Sequence, residues 1–174
     1  MWVRPIIRTK LQDNTMTTLA NMIDDLSRQL PELLHPQADA QVARSFSRAF
    51  YALYTEMRVG PDDALPASIQ AFLQQTAPDM RSGLLPLDRY LYSRMDALLG
   101  TIWKSDEWLG LCQLRSTREA LRELYASYLP IGDIMPADPE LDAAIRDKGN
   151  REAVQDANLT PTRFPASHWW WGMS

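Results

Sequence analysis

The sequence is short of the residues on which most metal and covalent chemistry rests. It holds one cysteine and two histidines in 174 residues. Cys112 therefore has no internal disulfide partner. Small secreted domains are usually stapled by paired cysteines, so the cytoplasm is the expected compartment. A zinc site wants three or four cysteine, histidine or carboxylate ligands at close spacing. Cys112, His35 and His168 lie far apart in the chain, so neither a metal nor a cofactor is expected. Glycine is also scarce, at seven residues. No phosphate loop, dinucleotide fingerprint or Gly-x-Ser-x-Gly elbow occurs. Long apolar runs are missing too, which excludes an obvious membrane-spanning helix. Within residues 1–14 the longest apolar run is Ile6-Ile7, bracketed by Arg4, Pro5 and Arg8; that is no signal-peptide core. Alternating β-branched runs and Asn-Gly or Asp-Gly hairpin signals are absent, so no strand is expected.

What the sequence does have is helical period. The formal net charge is −4, with 45% hydrophobic and 23% charged residues, a composition that folds without help. Leu19, Met22, Ile23, Leu26 and Leu30 form one helical face, with Pro31 predicted to close it. Val42, Phe46, Ala49, Phe50, Leu53 and Met57 form the clearest stripe and predict a helix over residues 39–58. Ile69, Phe72 and Leu73 predict a shorter helix ending at Pro78, followed by a loop over 79–86. Leu87, Leu91, Met95, Leu98, Leu99 and Ile102 predict a central helix, with a bend or a fresh helix near Ser105-Asp106. Ser116-Thr117-Arg118-Glu119 has the spacing of a capping box and predicts a fresh start. Leu121, Leu124 and Tyr125 continue it. Asp138-Pro139 predicts one more start, with aspartate as cap and proline in the first turn. Phe46, Phe50, Leu53, Leu91, Leu98 and Leu124 are the expected core. The fold class is all-α, an irregular bundle of about six helices with extended, aromatic-rich termini. Residues 1–15 read as an N-terminal arm, 16–158 as the bundle and 159–174 as an extended tryptophan-rich tail.

Two features stand outside the core pattern. The first is basic: Arg44 and Arg48 are one turn apart, and Arg115, Arg118 and Arg122 recur at three and four residues. Such rows can track a phosphate backbone. The favoured reading is solvated or locally ion-paired arginines on exposed helix faces, because Glu119 and Glu123 sit among the second set. The second feature is the tail, with Phe164 and the run Trp169-Trp170-Trp171. Tryptophan is costly to leave in water and is enriched at interaction hot spots. The tail either caps its own bundle or binds a partner. The expectation is a mixture, with Trp169 and Trp171 docked and Trp170 facing outward. Cys112 lies among Leu109, Leu111 and Leu114 and reads as a buried hydrophobe.

No catalytic residue is assigned, and the chain reads as a non-enzymatic interaction protein: an adaptor, accessory subunit or inhibitor. It would bind a protein partner through a helical surface and the residues Phe164, Trp169, Trp170 and Trp171, away from membranes. Its size and helicity resemble, in general form, the small helical subunits of bacterial assemblies such as RNA-guided effector complexes. That alternative implies nucleic-acid contact within a complex, for which Arg44, Arg48, Arg115, Arg118 and Arg122 are the candidates. A third alternative is an enzyme or ligand binder with a pocket between helices, which a polar-lined cavity would favour.

Overall fold

The computed structural model describes residues 7–57, 64–101, 105–152 and 166–172. Six helices follow one another: α1 (Ile7–Leu34), α2 (Ala40–Met57), α3 (Ala67–Leu99), α4 (Ser105–Tyr125), α5 (Ile131–Ile134) and α6 (Pro139–Glu152). A 3-10 turn, Trp169–Gly172, packs beside α6. No strand occurs among the described residues. The chain is an all-α bundle of about six helices. No described helix is long and apolar enough to cross a membrane.

The α2 stripe behaves as its period requires. Phe46, Phe50, Leu53 and Met57 are buried, and Phe46 stacks on Phe50, which stacks on Tyr125 of α4. Asp39 caps the helix, its Oδ1 accepting the backbone N–H of Gln41 and Val42 at 2.9 and 3.0 Å. Asp138 caps α6 in the same way through the N–H of Leu141. Leu91 and Leu124 are also core, whereas Leu98 is only half-buried against it.

Helix boundaries differ from expectation at three prolines. Pro31 lies inside α1, and Pro78 and Pro86 lie inside α3. Residues 79–86 are helix, not loop. Along α3 the buried positions Ile69, Phe72, Leu73, Thr76, Ala77, Met80, Gly83, Leu84, Leu87, Leu91 and Met95 keep one helical face across both prolines. An interior proline frees the carbonyl four residues before it and costs about 3 kcal/mol. Gln74 and Ser82, which lose that bond, lie on the exposed face with Pro78 and Pro86, where water can satisfy them. Continuous burial on the opposite face outweighs the loss. Gly83 sits where α1 crosses α3: a Cβ there would stand 3.1 Å from Leu34. Helix α1 begins at Ile7, within the stretch 1–15 set apart as an arm. Residues 1–6 lie outside the described residues.

The largest correction is α4. Ser116 is not the start of a helix but the middle of one. The turn Arg115, Ser116, Thr117 and Arg118 is buried on every side. A buried polar turn in mid-helix must find partners elsewhere in the fold, and those partners build the site described next.

Candidate functional site

The arginines of α4 are used inside the protein. Arg115 donates from Nε and Nη2 to Asp142 of α6, at 2.9 and 3.2 Å, and from Nη1 to Glu119 at 2.8 Å. Arg118 donates from Nε to Asp88 of α3 at 2.7 Å and from Nη2 to the Pro136 carbonyl at 2.8 Å. Arg122 donates from Nε to the Met135 carbonyl at 2.9 Å and from Nη1 to Glu119 at 3.1 Å. The row therefore ties α4 to α3, to α6 and to the connection between α5 and α6. Burial alone would lower the affinity of Arg115 for its proton, but the bonds to Asp142 and Glu119 outweigh it and raise it. Arg115 and Arg118 are only 4% and 2% exposed, so neither presents a guanidinium to an external phosphate. Arg115 and Arg122 pair with Glu119, but Arg115 and Arg118 are buried rather than on a solvated face, Glu123 bonds to Tyr54 and Ser167 instead, and the other partners lie well beyond the local ones.

The tail completes the buried turn. Trp170 and Trp171 donate their indole N–H groups to Ser116 Oγ at 2.9 and 2.8 Å. His168 Nδ1 lies 3.0 Å from the same oxygen. A serine hydroxyl has two acceptor lone pairs and one proton. The indoles fill the lone pairs, so the hydroxyl must donate to Nδ1, and His168 carries its proton on Nε2. Tyr54 donates to Glu123 Oε2 at 2.9 Å and leaves its oxygen to accept from Nε2, at 3.2 Å. Ser167 donates to Glu123 Oε1 at 2.6 Å. His168 stacks on Tyr54 with ring planes 7° apart. The Arg115 guanidinium lies 4.4 Å over the Trp170 ring, and that of Arg146 lies 3.7 Å over Trp169.

This arrangement overturns the expected orientation of the tail. Trp170 is its innermost ring at 0% exposure, Trp171 follows at 7%, and Trp169 is the partly exposed one. The reason is distant in sequence: Ser116 takes both indole protons, and Arg115 covers the Trp170 ring. Phe164 lies outside the described residues. The described part of the tail is a tight turn, not an extended chain.

Ser116, His168 and Glu123 have the composition of a nucleophilic triad, but the geometry opposes that chemistry. Both lone pairs of Ser116 accept indole protons, and the residue is fully buried. Attack on a substrate carbon needs a free lone pair and access. Burial pushes the Cys112 thiol far above its ordinary value, so it holds little thiolate at neutral pH. Among the described residues no group of three histidine, cysteine or carboxylate side chains is placed to hold a metal. His35 is exposed just beyond α1, and its Nδ1 accepts the Gln37 N–H.

Glu123 carries a pH prediction. Burial raises its pKa, but hydrogen bonds from His168, Ser167 and Tyr54 outweigh burial and hold it below the ordinary 4.5. A carboxylate depressed in the folded state contributes stability that is complete above its unfolded value and is lost as pH falls through its folded value. The melting temperature of the wild type is expected to fall more steeply below about pH 4.5 than that of Glu123→Gln. Parallel curves for the two proteins would refute the role given to Glu123.

The other two arginines of the sequence reading meet a third. Arg44 and Arg48 of α2 and Arg94 of α3 line one cleft, closed on its third side by α4. Its volume is about 480 Å³. Tyr51, Tyr90 and Glu107 share the lining. Burial raises the Tyr51 pKa to about 12, so its phenol stays protonated at neutral pH. Arg44, Arg48 and Arg94 are exposed, and none of them pairs with a carboxylate among the described residues. Arg94 had no signal in the sequence, because only the packing of α2 on α3 brings it to Arg44 and Arg48. Comparison with protein families, curated proteins and solved structures matched none.

Proposed function

We propose that this chain is a non-enzymatic helical binding protein whose recognition site is the cleft between α2, α3 and α4, and that it takes an anionic ligand. The observation that carries the reading is the contrast between two sets of arginines. Arg115, Arg118 and Arg122 are bonded into the fold, whereas Arg44, Arg48 and Arg94 line an open cleft and have no carboxylate partner among the described residues. Arginine forks recognise carboxylate and phosphate groups bidentately. A volume of about 480 Å³ falls in the range of small-molecule sites. The tail supports a structural role instead, since its two deepest rings are committed to Ser116.

The test is a thermal-shift screen with phosphate esters, dicarboxylates, acidic peptides and short oligonucleotides. The wild type and the triple variant Arg44→Gln/Arg48→Gln/Arg94→Gln are compared. A ligand at about 100 times its Kd stabilises the folded state by about 2.7 kcal/mol. Some member of the screen is expected to raise the melting temperature of the wild type by several degrees and leave the variant unmoved. No response to any anion at millimolar concentration, or an equal response of the variant, would remove the reading.

A further inference from the structure

We infer that the ligand of the cleft is a small organic phosphate: a dianionic phosphate ester whose organic body fills the space beyond the arginines. The inference rests on the binding reading above and narrows it to a chemical class. Charge comes first. The described lining sets three guanidinium groups, Arg44, Arg48 and Arg94, against one carboxylate, Glu107. The described lining is therefore more basic than acidic in a protein of net charge −4. Such a lining favours a group carrying close to two negative charges, as a phosphate monoester does at neutral pH.

Geometry comes second. Arg44 and Arg48 stand one turn apart on α2, and Arg94 comes from α3. The cations therefore approach from two elements. A tetrahedral oxyanion with three terminal oxygens can accept from several donors at once, whereas a single carboxylate has two oxygens. Size comes third. A bare phosphate displaces only a few water molecules of about 30 Å³ each, far less than the cleft volume of about 480 Å³. The remainder of the lining suits an organic body. Leu98 and Leu114 give an apolar wall, Tyr51 and Tyr90 add phenol rings, and the Gln41 and Gln113 amides can take polar substituents.

Isothermal titration of the full chain with defined probes tests the inference. The probes are phenyl phosphate, adenosine monophosphate, inorganic phosphate, phthalate and a twelve-nucleotide single strand. The phosphate esters are expected to bind at least tenfold more tightly than inorganic phosphate and than phthalate. Arg94→Gln is expected to weaken them about tenfold or more, as loss of a charge-assisted hydrogen bond does. Its melting temperature without ligand should stay that of the wild type, because the side chain is exposed. Three results would overturn the class while leaving the cleft as an anion site: esters no better than inorganic phosphate, phthalate equal or better, or the oligonucleotide tighter than the mononucleotide with a steep salt dependence. Absence of binding by every probe, or undiminished binding by Arg44→Gln/Arg48→Gln/Arg94→Gln, would end both the class and the cleft reading.

Discussion

Trp170→Ala should be among the most damaging single substitutions in this chain. The ring is fully buried, donates to Ser116 and lies under the Arg115 guanidinium. Truncating a buried tryptophan costs about 3–5 kcal/mol through lost transfer energy and the cavity left behind. At about 2–4 °C per kcal/mol for a chain of this size, the melting temperature should fall by about 6–20 °C. The tail is a keystone for α4, not a free arm. Trp169→Ala provides the comparison: that ring is half-exposed and makes its cation contact with Arg146 at the surface, so its loss should cost less than half as much. Thermal denaturation of the two variants checks the order. A Trp170→Ala protein melting within 2 °C (roughly 1 kcal/mol) of the wild type would contradict the docking.

Arg115→Ala should be comparably severe for a different reason. Removing one member of a buried, hydrogen-bonded ion pair costs about 3–5 kcal/mol, because the remaining charge loses its partner. Here two carboxylates are affected, Asp142 and Glu119, and Trp170 loses the cation above its ring. Glu119 keeps Arg122, so Asp142 is the more exposed to the loss. Arg44→Ala, at an exposed position of α2, should stay within about 0.5 kcal/mol of the wild type. Chemical denaturation of the two variants measures both values in one experiment. Equal stabilities would erase the distinction between the arginine sets on which the functional reading depends.

Much of the fold was legible because helical burial is periodic and local. The stripe from Val42 to Met57 needs no knowledge of the rest of the chain, and α2 follows from it. The errors share one cause: a local rule met a distant partner. Pro78 and Pro86 look like stops, yet the buried face of α3 runs past them and the residues whose carbonyls are freed, Gln74 and Ser82, lie on the exposed face. Ser116 and Glu119 have the spacing of a capping box, but Glu119 binds Arg115 and Arg122, while Ser116 receives two indoles from more than fifty residues away. The i to i+4 pair of Arg115 and Glu119 could be read from spacing; Asp88 and Asp142 could not. In the cleft, the turn shared by Arg44 and Arg48 was visible in the sequence. The arrival of Arg94 depends on helix packing, which no local pattern encodes.

The division of labour among the arginines is the central claim, and their side-chain Nε–H groups report on it one by one. Arg115, Arg118 and Arg122 each donate Nε–H to a fixed acceptor: Asp142, Asp88 and the Met135 carbonyl. In a nitrogen-15 NMR spectrum at neutral pH, these three signals should be slow to exchange with water and unmoved by phenyl phosphate. Those of Arg44, Arg48 and Arg94 should exchange rapidly in the free protein, then shift and sharpen as phenyl phosphate is added. The reverse pattern, with the α4 arginines responding and the cleft arginines silent, would contradict the account.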